Sequence, residues 1–302
     1  MIPTRTDVVA AARRIDGRVH RTPVLTSRTL NALLDAALYF KCENLQRTGA
    51  FKMRGATNAV ALLPDDVGTV ATHSSGNHGA ALALAAAEAG RRAIIVVPSN
   101  GRASKRAAIE RYGAEIVDCG PTLEARETTL NEVVDSTGAA FVPPYDDPRI
   151  IAGAGTAALE LLEQCPGLDQ VWVPVGGGGL AAGTVLAVDG AAEVVLAEPE
   201  LARDAKDSLE SGTLLPALPP KTIADGLRTA LGRLNFEILR RAGCRVHMAS
   251  EGGIERWTDQ IAQVMKIVVE PSAVVTLAAM VENTGAARGR VGVILSGGNY
   301  GP

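Results

Sequence analysis

The 302-residue chain is long enough for one large or two medium domains, and hydrophobic residues make up 47% of it. Aromatic residues contribute only 3%, so the core must be filled by Ala, Val, Leu and Ile. A net charge of -3 with both signs mixed argues against a nucleic-acid-binding or polybasic membrane surface. No apolar run reaches the ~18 residues of a membrane-spanning helix, and the N-terminus lacks the apolar segment of a signal peptide.

The cysteines and histidines indicate a reduced protein without a zinc site. Cys42, Cys119, Cys165 and Cys244 lie far apart and form no CxxC pair. We therefore expect reduced thiols and a cytoplasmic location. The four histidines are equally scattered and form no HExxH motif, which argues against bound zinc.

Short β-branched segments alternate with longer Ala-rich segments through the middle of the chain. Strands are predicted at 68–74, 91–98, 114–119, 170–175 and 193–200, and helices at 76–90, 103–113, 123–138 and 179–190. Glycines such as Gly90 and Gly113 close these helices, as C-terminal capping requires. Repeated strand–helix–strand units with apolar strands predict a parallel sheet that is covered by helices on both faces.

We predict two α/β domains, each an open and mostly parallel sheet with helices on both faces. The small domain comprises residues 68–145, a compact set of βα units that the turn-rich segment VPPYDDP closes. The large domain combines 1–67 with 146–302. Residues 211–225 are the most loop-like stretch, although they are too apolar to be disordered.

The segment TGAFKMRG, at 48–55, places Lys52 among small and apolar neighbours. Most lysines near a helix start are solvated surface charges. Here the neighbours include Ala50, Phe51 and Met53, and desolvation among them would lower the pKa of the amine. A lowered pKa is what a lysine that forms a Schiff base needs.

A glycine run, Gly176 to Gly179, follows the apolar strand VWVPV and opens the next predicted helix. Backbone N–H groups in such a loop can surround a phosphate at a helix N-terminus, where the dipole also favours an anion. A tight turn with close packing is the simpler interpretation. It is insufficient because ordering each glycine costs about 0.5–1 kcal/mol relative to alanine. The run therefore predicts a phosphate site.

The same run also fits the dinucleotide fingerprint as Gly176-x-Gly178-x-x-Ala181. Glu198 ends the following strand, 20 residues after Gly178, where an acid that binds a ribose would lie. This interpretation predicts an NAD-dependent oxidoreductase, and it ranks second because it leaves the other motifs without roles. A non-enzymatic sensor of small ligands is a third alternative, which an intact Lys52 disfavours.

Two further loops follow predicted strands. SSGNHG, at 74–79, lies between a strand and a helix, where hydroxyl and N–H groups favour a carboxylate. A capping serine with a glycine turn is the alternative for this loop. SGGN, at 296–299, follows the strand RVGVILS and can present a hydroxyl to a ring nitrogen, although a simple turn has the same pattern.

With these four segments in order, the chain resembles the fold-type-II pyridoxal-phosphate enzymes, which share the fold of the tryptophan synthase β chain. More narrowly, it is similar to the serine/threonine dehydratase and serine racemase branch. The resemblance runs from HRTPVLTS, at 20–27, to SGGN and so covers nearly the whole chain. It implies a pyridoxal 5'-phosphate cofactor, an amino acid substrate and a homodimer.

The resemblance also implies roles for individual residues. Lys52 is expected to hold the cofactor as a Schiff base and, once displaced by the substrate amine, to take the α-proton. Phe51 is expected to flank the cofactor ring, Asn77 to bind its 3′-oxygen and Ser296 its pyridine nitrogen. A serine at that nitrogen, rather than a carboxylate, favours elimination. The phosphate is assigned to Gly176, Gly177, Gly178 and Gly179, and the substrate carboxylate to Ser74, Ser75, Gly76, Asn77 and His78.

The implied reaction removes the β-hydroxyl of an amino acid and releases a 2-oxo acid and ammonia. The cofactor phosphate or Lys52 would donate a proton to the leaving hydroxyl. In racemase-like members the second serine of SSGNHG lies on the ring face opposite the lysine and protonates the other face of the α-carbon. Biosynthetic-type threonine dehydratases usually carry alanine there. Ser75 is therefore a second predicted catalytic residue, and racemase activity stays open.

The segment LAEPELARD, at 196–204, resembles the cation site of racemase-like members. In those proteins an acid, a backbone carbonyl and a second acid bind Mg²⁺ or Ca²⁺. The corresponding groups here are Glu198, the carbonyl of Ala202 and Asp204, and all-oxygen ligation suits a hard cation. A solvated acidic loop is the alternative, and the cation and ribose interpretations compete for Glu198.

Several positions depart from the family pattern. The common Ser-Phe-Lys is here Ala50-Phe51-Lys52, and Tyr145 stands where racemase-like members carry Asn. Bacterial dehydratases often have an aromatic residue there, so Tyr145 favours a dehydratase. Both departures are consistent with a non-standard substrate such as hydroxyaspartate or phenylserine, and Arg126 can meet a second carboxylate. Because the sequence stops at Pro302, no C-terminal regulatory domain is expected.

Overall fold

The parallel strands of the chain are divided between two sheets. The computed structural model describes residues 1–74, 76–99, 103–216 and 219–300, and in this part of the chain ten strands form one six-stranded and one four-stranded sheet. The strands are β1 (Val24–Leu25), β2 (Ala37–Cys42), β3 (Thr69–His73), β4 (Arg92–Pro98), β5 (Glu115–Cys119), β6 (Ala140–Phe141), β7 (Gln170–Pro174), β8 (Glu193–Pro199), β9 (Arg245–Ala249) and β10 (Arg290–Leu295).

Helices connect most of these strands, as parallel pairing requires. They are α1 (Arg5–Ile15), α2 (Arg28–Leu34), α3 (Lys52–Ala61), α4 (Asn77–Glu88), α5 (Ala103–Arg111), α6 (Leu123–Thr137), α7 (Pro148–Gln164), α8 (Gly179–Val188), α9 (Asp204–Ser211), α10 (Arg233–Arg241), α11 (Glu251–Met265) and α12 (Pro271–Glu282). In the part of the chain that the structure describes, no helix is long and apolar enough to cross a bilayer.

The large sheet has the order β1-β2-β10-β7-β8-β9, and only β1 runs antiparallel to its neighbour. Val293 of β10 pairs with Phe40 of β2 on one side and with Trp172 of β7 on the other. Every residue of β7 is buried, because helices cover both faces of the sheet. Buried residues of α11 and α12 form the core on one face, and those of α1, α7, α8 and α10 form the core on the other.

The small sheet is wholly parallel, with the order β5-β4-β3-β6. Ile95 of β4 packs in one core with residues of α3, α4 and α5, whereas Ile94 packs on the opposite face with Leu130 and Val133 of α6. Helix α3 also contacts α7, whose buried side chains line the core of the large sheet. The helix that begins at Lys52 therefore lies between the two sheets.

The predicted α/β architecture is confirmed, and every strand and helix predicted above is present with ends within two residues of the prediction. Gly90 and Gly113 have φ angles of 66° and 77°, so they close their helices in the left-handed conformation that capping favours. The loop-like stretch 211–225 begins where α9 ends and contains no other helix among its described residues before a short turn at 225–227.

Helices α7 and α8 pack backbone to backbone through glycines. A Cβ atom on Gly155 of α7 would lie 2.5 Å from the carbonyl oxygen of Gly183 in α8. A Cβ on Gly183 would lie equally close, 2.5 Å, to the carbonyl oxygen of Ile151. Since both obstacles are backbone atoms, neither can move aside without separating the helices. The contact fixes the position of the glycine run at the start of α8 relative to α7.

We expect Gly155→Ala to lower the free energy of unfolding by about 1–3 kcal/mol, because overpacking forces the helices apart. Gly252→Ala is the matched control, since Gly252 also lies in a helix and has no atom within 4 Å of an added Cβ. The control should be neutral or stabilising by about 0.5–1 kcal/mol. Urea denaturation followed by circular dichroism measures both, and equal effects would contradict the packing argument.

Candidate active site

The predicted motifs meet at the carboxyl ends of the parallel strands, between the two sheets. Lys52 begins α3, the loop 74–76 follows β3, the glycine run follows β7, and Ser296 follows β10. The N–H of Phe51 donates to the carbonyl of Ser296 at 3.0 Å, and Ala50 pairs with Gly297 in an antiparallel bridge. Crevices at this edge of parallel sheets are where ligands of α/β proteins bind.

The amine of Lys52 is the central group of this crevice. Its Nζ donates to the carbonyl of Pro144 at 2.6 Å and lies 5.2 Å from the ring centroid of Phe51 and 5.9 Å from that of Tyr145. Burial lowers the pKa of Lys52 from 10.5 to about 8, against the opposing charge of Glu270. The predicted desolvation is therefore present, and a substantial fraction of the amine is neutral near physiological pH.

A buried ionic cluster holds the first turn of α3. The guanidinium of Arg54, which is 0% exposed, donates to both carboxylate oxygens of Glu43 at 2.7 and 2.8 Å and to those of Glu160 at 2.7 and 2.9 Å. Lys41 donates to Glu160 at 2.6 Å. Burial would raise the pKa of Glu43, but Arg54 holds it below its ordinary value. Because Arg54 follows Lys52 by two residues, the cluster also fixes the backbone that carries the amine.

The glycine run is enclosed by side chains that leave no room for a Cβ. A Cβ on Gly176 would lie 2.8 Å from Cα of Leu227, and one on Gly177 would lie 2.5 Å from the ring of Tyr145. Gly178 caps α8 with a φ of 88°, which favours glycine over other residues. The side chain of Asn235 donates to the carbonyl of Gly177 at 2.6 Å and so fixes the loop. The N–H groups of the first turn of α8 are available to an anion.

The loop after β3 forms the start of α4. The hydroxyl oxygen of Ser74 accepts from the N–H groups of Gly76 at 3.2 Å and of Gly79 at 3.1 Å, so Ser74 caps the helix and keeps its own O–H as a donor. Asn77 is the first residue of α4. Ser75, the predicted second catalytic residue, lies outside the described residues.

His78 is buried behind this loop and is neutral. Its Nε2 lies 3.1 Å from the carbonyl of Val142, so this nitrogen carries the proton. Burial, followed by the nearby charge of Lys52, lowers the pKa of His78 to about 3. The ring therefore brings no positive charge to the predicted carboxylate site.

Arg126 lies in the first turn of α6, near the end of β3. Its Nη2 donates to the carbonyl of Pro121 at 3.3 Å, and its buried Nε has no partner among the residues that the structure describes. Burial lowers the pKa of His73, and the charge of Arg126 lowers it further. Because Ser74 follows His73 directly, the positive charge of Arg126 acts on the end of the strand that leads into the predicted carboxylate loop.

Two of the predicted cation ligands, Glu198 and Asp204, are buried at the start of α9. Glu198 is 0% exposed, and its oxygens accept from the N–H groups of Ala205 and Lys206, each at 2.8 Å. Asp204 accepts from the N–H of Leu231 at 2.8 Å. Burial raises the pKa of Glu198 to about 8, and Asp204 contributes. No cationic side chain of the described residues pairs with either carboxylate, so the two acids form an oxygen donor set that a hard cation would neutralise.

Three polar residues of this crevice were not among those predicted from the sequence: Asn235, Glu270 and Asn299. Glu270 is 3% exposed, and its Oε1 accepts from Nδ2 of Asn77 at 2.8 Å. Asn299 donates to Oδ1 of Asn77 at 2.9 Å. In the sequence, Glu270 is marked only by being an acid within an apolar segment. Asn299 is marked only by being the last residue of SGGN. Neither pattern identifies a partner.

These groups fit a phosphorylated ring aldehyde. The helix start at Gly179 suits the phosphate, and Lys52 offers an amine with a lowered pKa. Ser296, which is buried and directly follows β10, offers a hydroxyl for the ring nitrogen. The family of pyridoxal-phosphate dependent enzymes matches residues 15–297. The chain belongs to this family. The dinucleotide interpretation of the glycine run finds no support in the match.

The most similar relatives include two hydroxyaspartate enzymes and a racemase. The chain is 45% identical to a beta-hydroxyaspartate dehydratase of Paracoccus denitrificans, over 99% of this chain and 96% of the relative. It is 43% identical to an L-threo-3-hydroxyaspartate ammonia-lyase of Saccharomyces cerevisiae, over 99% of this chain and 94% of the relative. The crystal structure of serine racemase from Dictyostelium discoideum superposes with a TM-score of 0.93 at 41% identity and covers 100% of both chains.

The lowered pKa of Lys52 predicts the pH dependence of cofactor capture. When pyridoxal 5'-phosphate is added to cofactor-free protein, the rate at which the visible absorption band appears should reach half its plateau near pH 8, because the neutral amine reacts. Free Nα-acetyl-lysine is the control and should need a pH near the ordinary lysine value of 10.5. Lys52→Ala should form no covalently held band. A midpoint shared by the protein and the free amine would refute the desolvation of Lys52.

Proposed function

We propose that this protein is a pyridoxal-phosphate-dependent ammonia-lyase that converts a β-hydroxy amino acid, in particular 3-hydroxyaspartate, to a 2-oxo acid and ammonia. The observation that carries the proposal is Arg126, whose buried Nε has no partner among the described residues and whose charge acts on His73, the residue before the loop that is suited to the α-carboxylate. Two relatives that act on hydroxyaspartate, at 45% and 43% identity, support this substrate.

The bound cofactor would supply an electron-withdrawing ring that stabilises negative charge at the α-carbon. The protein would hold its phosphate at Gly176, Gly177, Gly178 and Gly179, its ring between Phe51 and the opposite wall, and its ring oxygen and nitrogen at Asn77 and Ser296. Each of these groups lies at a strand end or a helix start, where the backbone is fixed by the sheet behind it.

Lys52 would anchor the cofactor and then remove the α-proton. An amine with a pKa of about 8 is partly neutral at physiological pH and so can accept this proton. Its bond to the carbonyl of Pro144 at 2.6 Å restrains the side chain within the crevice. The same group, once protonated, can donate the proton to the leaving β-hydroxyl.

The two carboxylates of the substrate would bind on either side of Ser74. The α-carboxylate would accept from the loop of Ser74, Gly76 and Asn77 at the N-terminus of α4, where the helix dipole favours an anion. His78 is held neutral behind this loop and serves as packing and support. The second carboxylate would meet Arg126, whose unpartnered Nε can then donate.

Racemisation is the second candidate function. Its support is the second serine of SSGNHG, Ser75, together with a solved serine racemase at 41% identity over the whole chain. We propose that Ser75 protonates the face of the α-carbon opposite Lys52. This activity would use the same cofactor and carboxylate contacts, so it would accompany the lyase activity rather than replace it.

We also propose a cation at Glu198, the carbonyl of Ala202 and Asp204, completed by water. Mg²⁺ and Ca²⁺ both prefer such oxygen ligands. The mutual repulsion of the two buried acids supports the proposal, because a divalent cation would offset it. The ion would brace the start of α9 against Leu231, whose side chain approaches Gly178. Its effect would thus be to stabilise the phosphate loop.

We further propose a cytoplasmic homodimer with domains 1–67 plus 146–302 and 68–145. The division is supported by the strands, because those of the small sheet all lie between residues 69 and 141. The four cysteines are free thiols, which supports a reducing compartment. The dimer rests on the resemblance to the family.

The substrate prediction is tested by assaying 2-oxo acid from L-threo-3-hydroxyaspartate, L-serine and L-threonine. Arg126→Gln should raise KM for hydroxyaspartate by about 10- to 100-fold, since a charged hydrogen bond is lost, and should leave KM for L-serine nearly unchanged. Arg111→Gln, on the exposed end of α5, is the matched control. Equal loss on both substrates would contradict the role of Arg126, and no 2-oxo acid from any substrate would overturn the lyase proposal.

The cation prediction is tested by thermal unfolding with EDTA and with added Mg²⁺ or Ca²⁺. We expect the cation to raise the unfolding temperature by a few degrees, because it binds only the folded site. Glu198→Gln should abolish the shift, whereas Glu200→Gln, at the exposed neighbouring acid, should retain it. An identical response in all three proteins would place any cation elsewhere.

A further inference from the structure

The side-chain amide of Asn77 is bonded on both of its polar atoms before any ligand is considered. Its Oδ1 accepts from Nδ2 of Asn299 at 2.9 Å, and its Nδ2 donates to Oε1 of Glu270 at 2.8 Å. Asn299 lies after the end of β10, and Glu270 lies at the start of α12. We propose that Asn299 and Glu270 are positioning residues that orient the amide of Asn77 toward the cofactor.

The direction of the amide follows from donor and acceptor counting. Nδ2 of Asn299 also donates to the carbonyl of Thr48 at 2.8 Å, and a backbone carbonyl can only accept. The NH₂ group of Asn299 therefore faces Thr48, and its second N–H requires an acceptor, which is Oδ1 of Asn77. The nitrogen of Asn77 must then face Glu270. Glu270 accepts this bond whether or not its carboxyl is ionised.

One N–H of Asn77 is left over by this arrangement. An amide nitrogen carries two N–H bonds, and Glu270 is its one acceptor among the residues that the structure describes. The remaining N–H is available to the crevice that contains Lys52. A ring oxygen of the cofactor is the acceptor that the proposed function assigns to it. If the amide of Asn77 were reversed, its Oδ1 would face the ring oxygen of the cofactor, and two acceptors cannot form a hydrogen bond. The inference therefore rests on the proposed role of Asn77.

The backbone around the two positioning residues is shaped to admit them. Thr48 adopts a left-handed φ of 59°, uncommon for a residue with a Cβ, and Gly49 follows with a φ of 73°. A Cβ on Gly49 would lie 2.5 Å from Oδ1 of Asn299, and one on Gly297 would lie 2.5 Å from Oε1 of Glu270. Glycines of TGAFKMRG and of SGGN are therefore needed by the same hydrogen-bonded chain.

The test titrates cofactor-free protein with pyridoxal 5'-phosphate and measures the dissociation constant, the absorption maximum and the unfolding temperature of the cofactor-free protein. Asn299→Asp presents an acceptor where Asn77 needs a donor and so should flip the amide. We expect about tenfold weaker cofactor binding or more, with a shifted absorption maximum, since a donor is replaced by a repulsive oxygen. Asn283→Asp is the matched control, because its amide also donates to two carbonyls but outside the crevice.

Glu270→Gln separates positioning from a general structural effect. Glutamine retains an acceptor for Asn77, so the single variant should bind the cofactor within about threefold of the wild type. In the double variant, Asn299→Asp with Glu270→Gln, the glutamine can instead donate to the flipped amide. The unfolding temperature lost in Asn299→Asp should then recover in part, since the bond from residue 299 to the carbonyl of Thr48 stays lost. The cofactor affinity and absorption maximum should not recover, because an oxygen still faces the ring.

The outcomes distinguish this inference from the proposed function. Unchanged affinity and absorption maximum in Asn299→Asp would overturn the inference, as would recovery of affinity together with stability in the double variant. Equal weakening in Asn299→Asp and Asn283→Asp would also overturn it. If the wild type itself forms no absorption band, the proposed function fails instead.

Discussion

The burial of the Lys52 amine between two sheets is the constraint on which the rest of the site depends. Most buried charges nearby are paired: Arg54 lies between Glu43 and Glu160, and Lys41 also contacts Glu160. Lys52 has only a carbonyl as its hydrogen-bond partner in the described residues, with Glu270 as a more distant charge. Desolvation without a direct counter-ion lowers its pKa to about 8. The paired cluster keeps the adjacent turn of α3 rigid, so the reactive amine is both more readily deprotonated than a solvated lysine and well placed.

Glycines at the site serve protein packing as much as ligand binding. A glycine run such as 176–179 is usually explained by ligand binding, because the missing side chains expose backbone N–H groups to the ligand. The same missing Cβ atoms also admit the ring of Tyr145, the backbone of Leu227 and the side chain of Asn235. Asn235 in turn bonds the carbonyl of Gly177. The loop is therefore restrained by packing contacts and by a hydrogen bond from the protein. This restraint offsets the entropy that ordering a glycine run costs.

The elements and the reactive lysine could be predicted from the sequence because their signals are local. Apolar periodicity and capping glycines located six of the ten described strands and four of the twelve described α-helices, and the neighbours of Lys52 indicated its desolvation. Glu270 and Asn299 could not be predicted, since they bond Asn77 across 193 and 222 residues of chain. A buried glutamate is rare, and no local pattern distinguishes it from a solvated one. Only the folded topology, which brings α12 and the end of β10 beside α4, reveals these partners.

The charges around the crevice would account for the proposed preference for a dianionic substrate. His78 is neutral, and the amine of Lys52 already donates to the carbonyl of Pro144, so neither is the expected partner of a second carboxylate. The helix start of α4 supplies a partial charge that suits one carboxylate. Arg126 supplies a full charge, which acts on His73 at the end of β3. A monocarboxylate would leave that guanidinium without a partner. Selectivity would then come from the lost contact rather than from exclusion of smaller substrates, so serine would still enter and react more weakly.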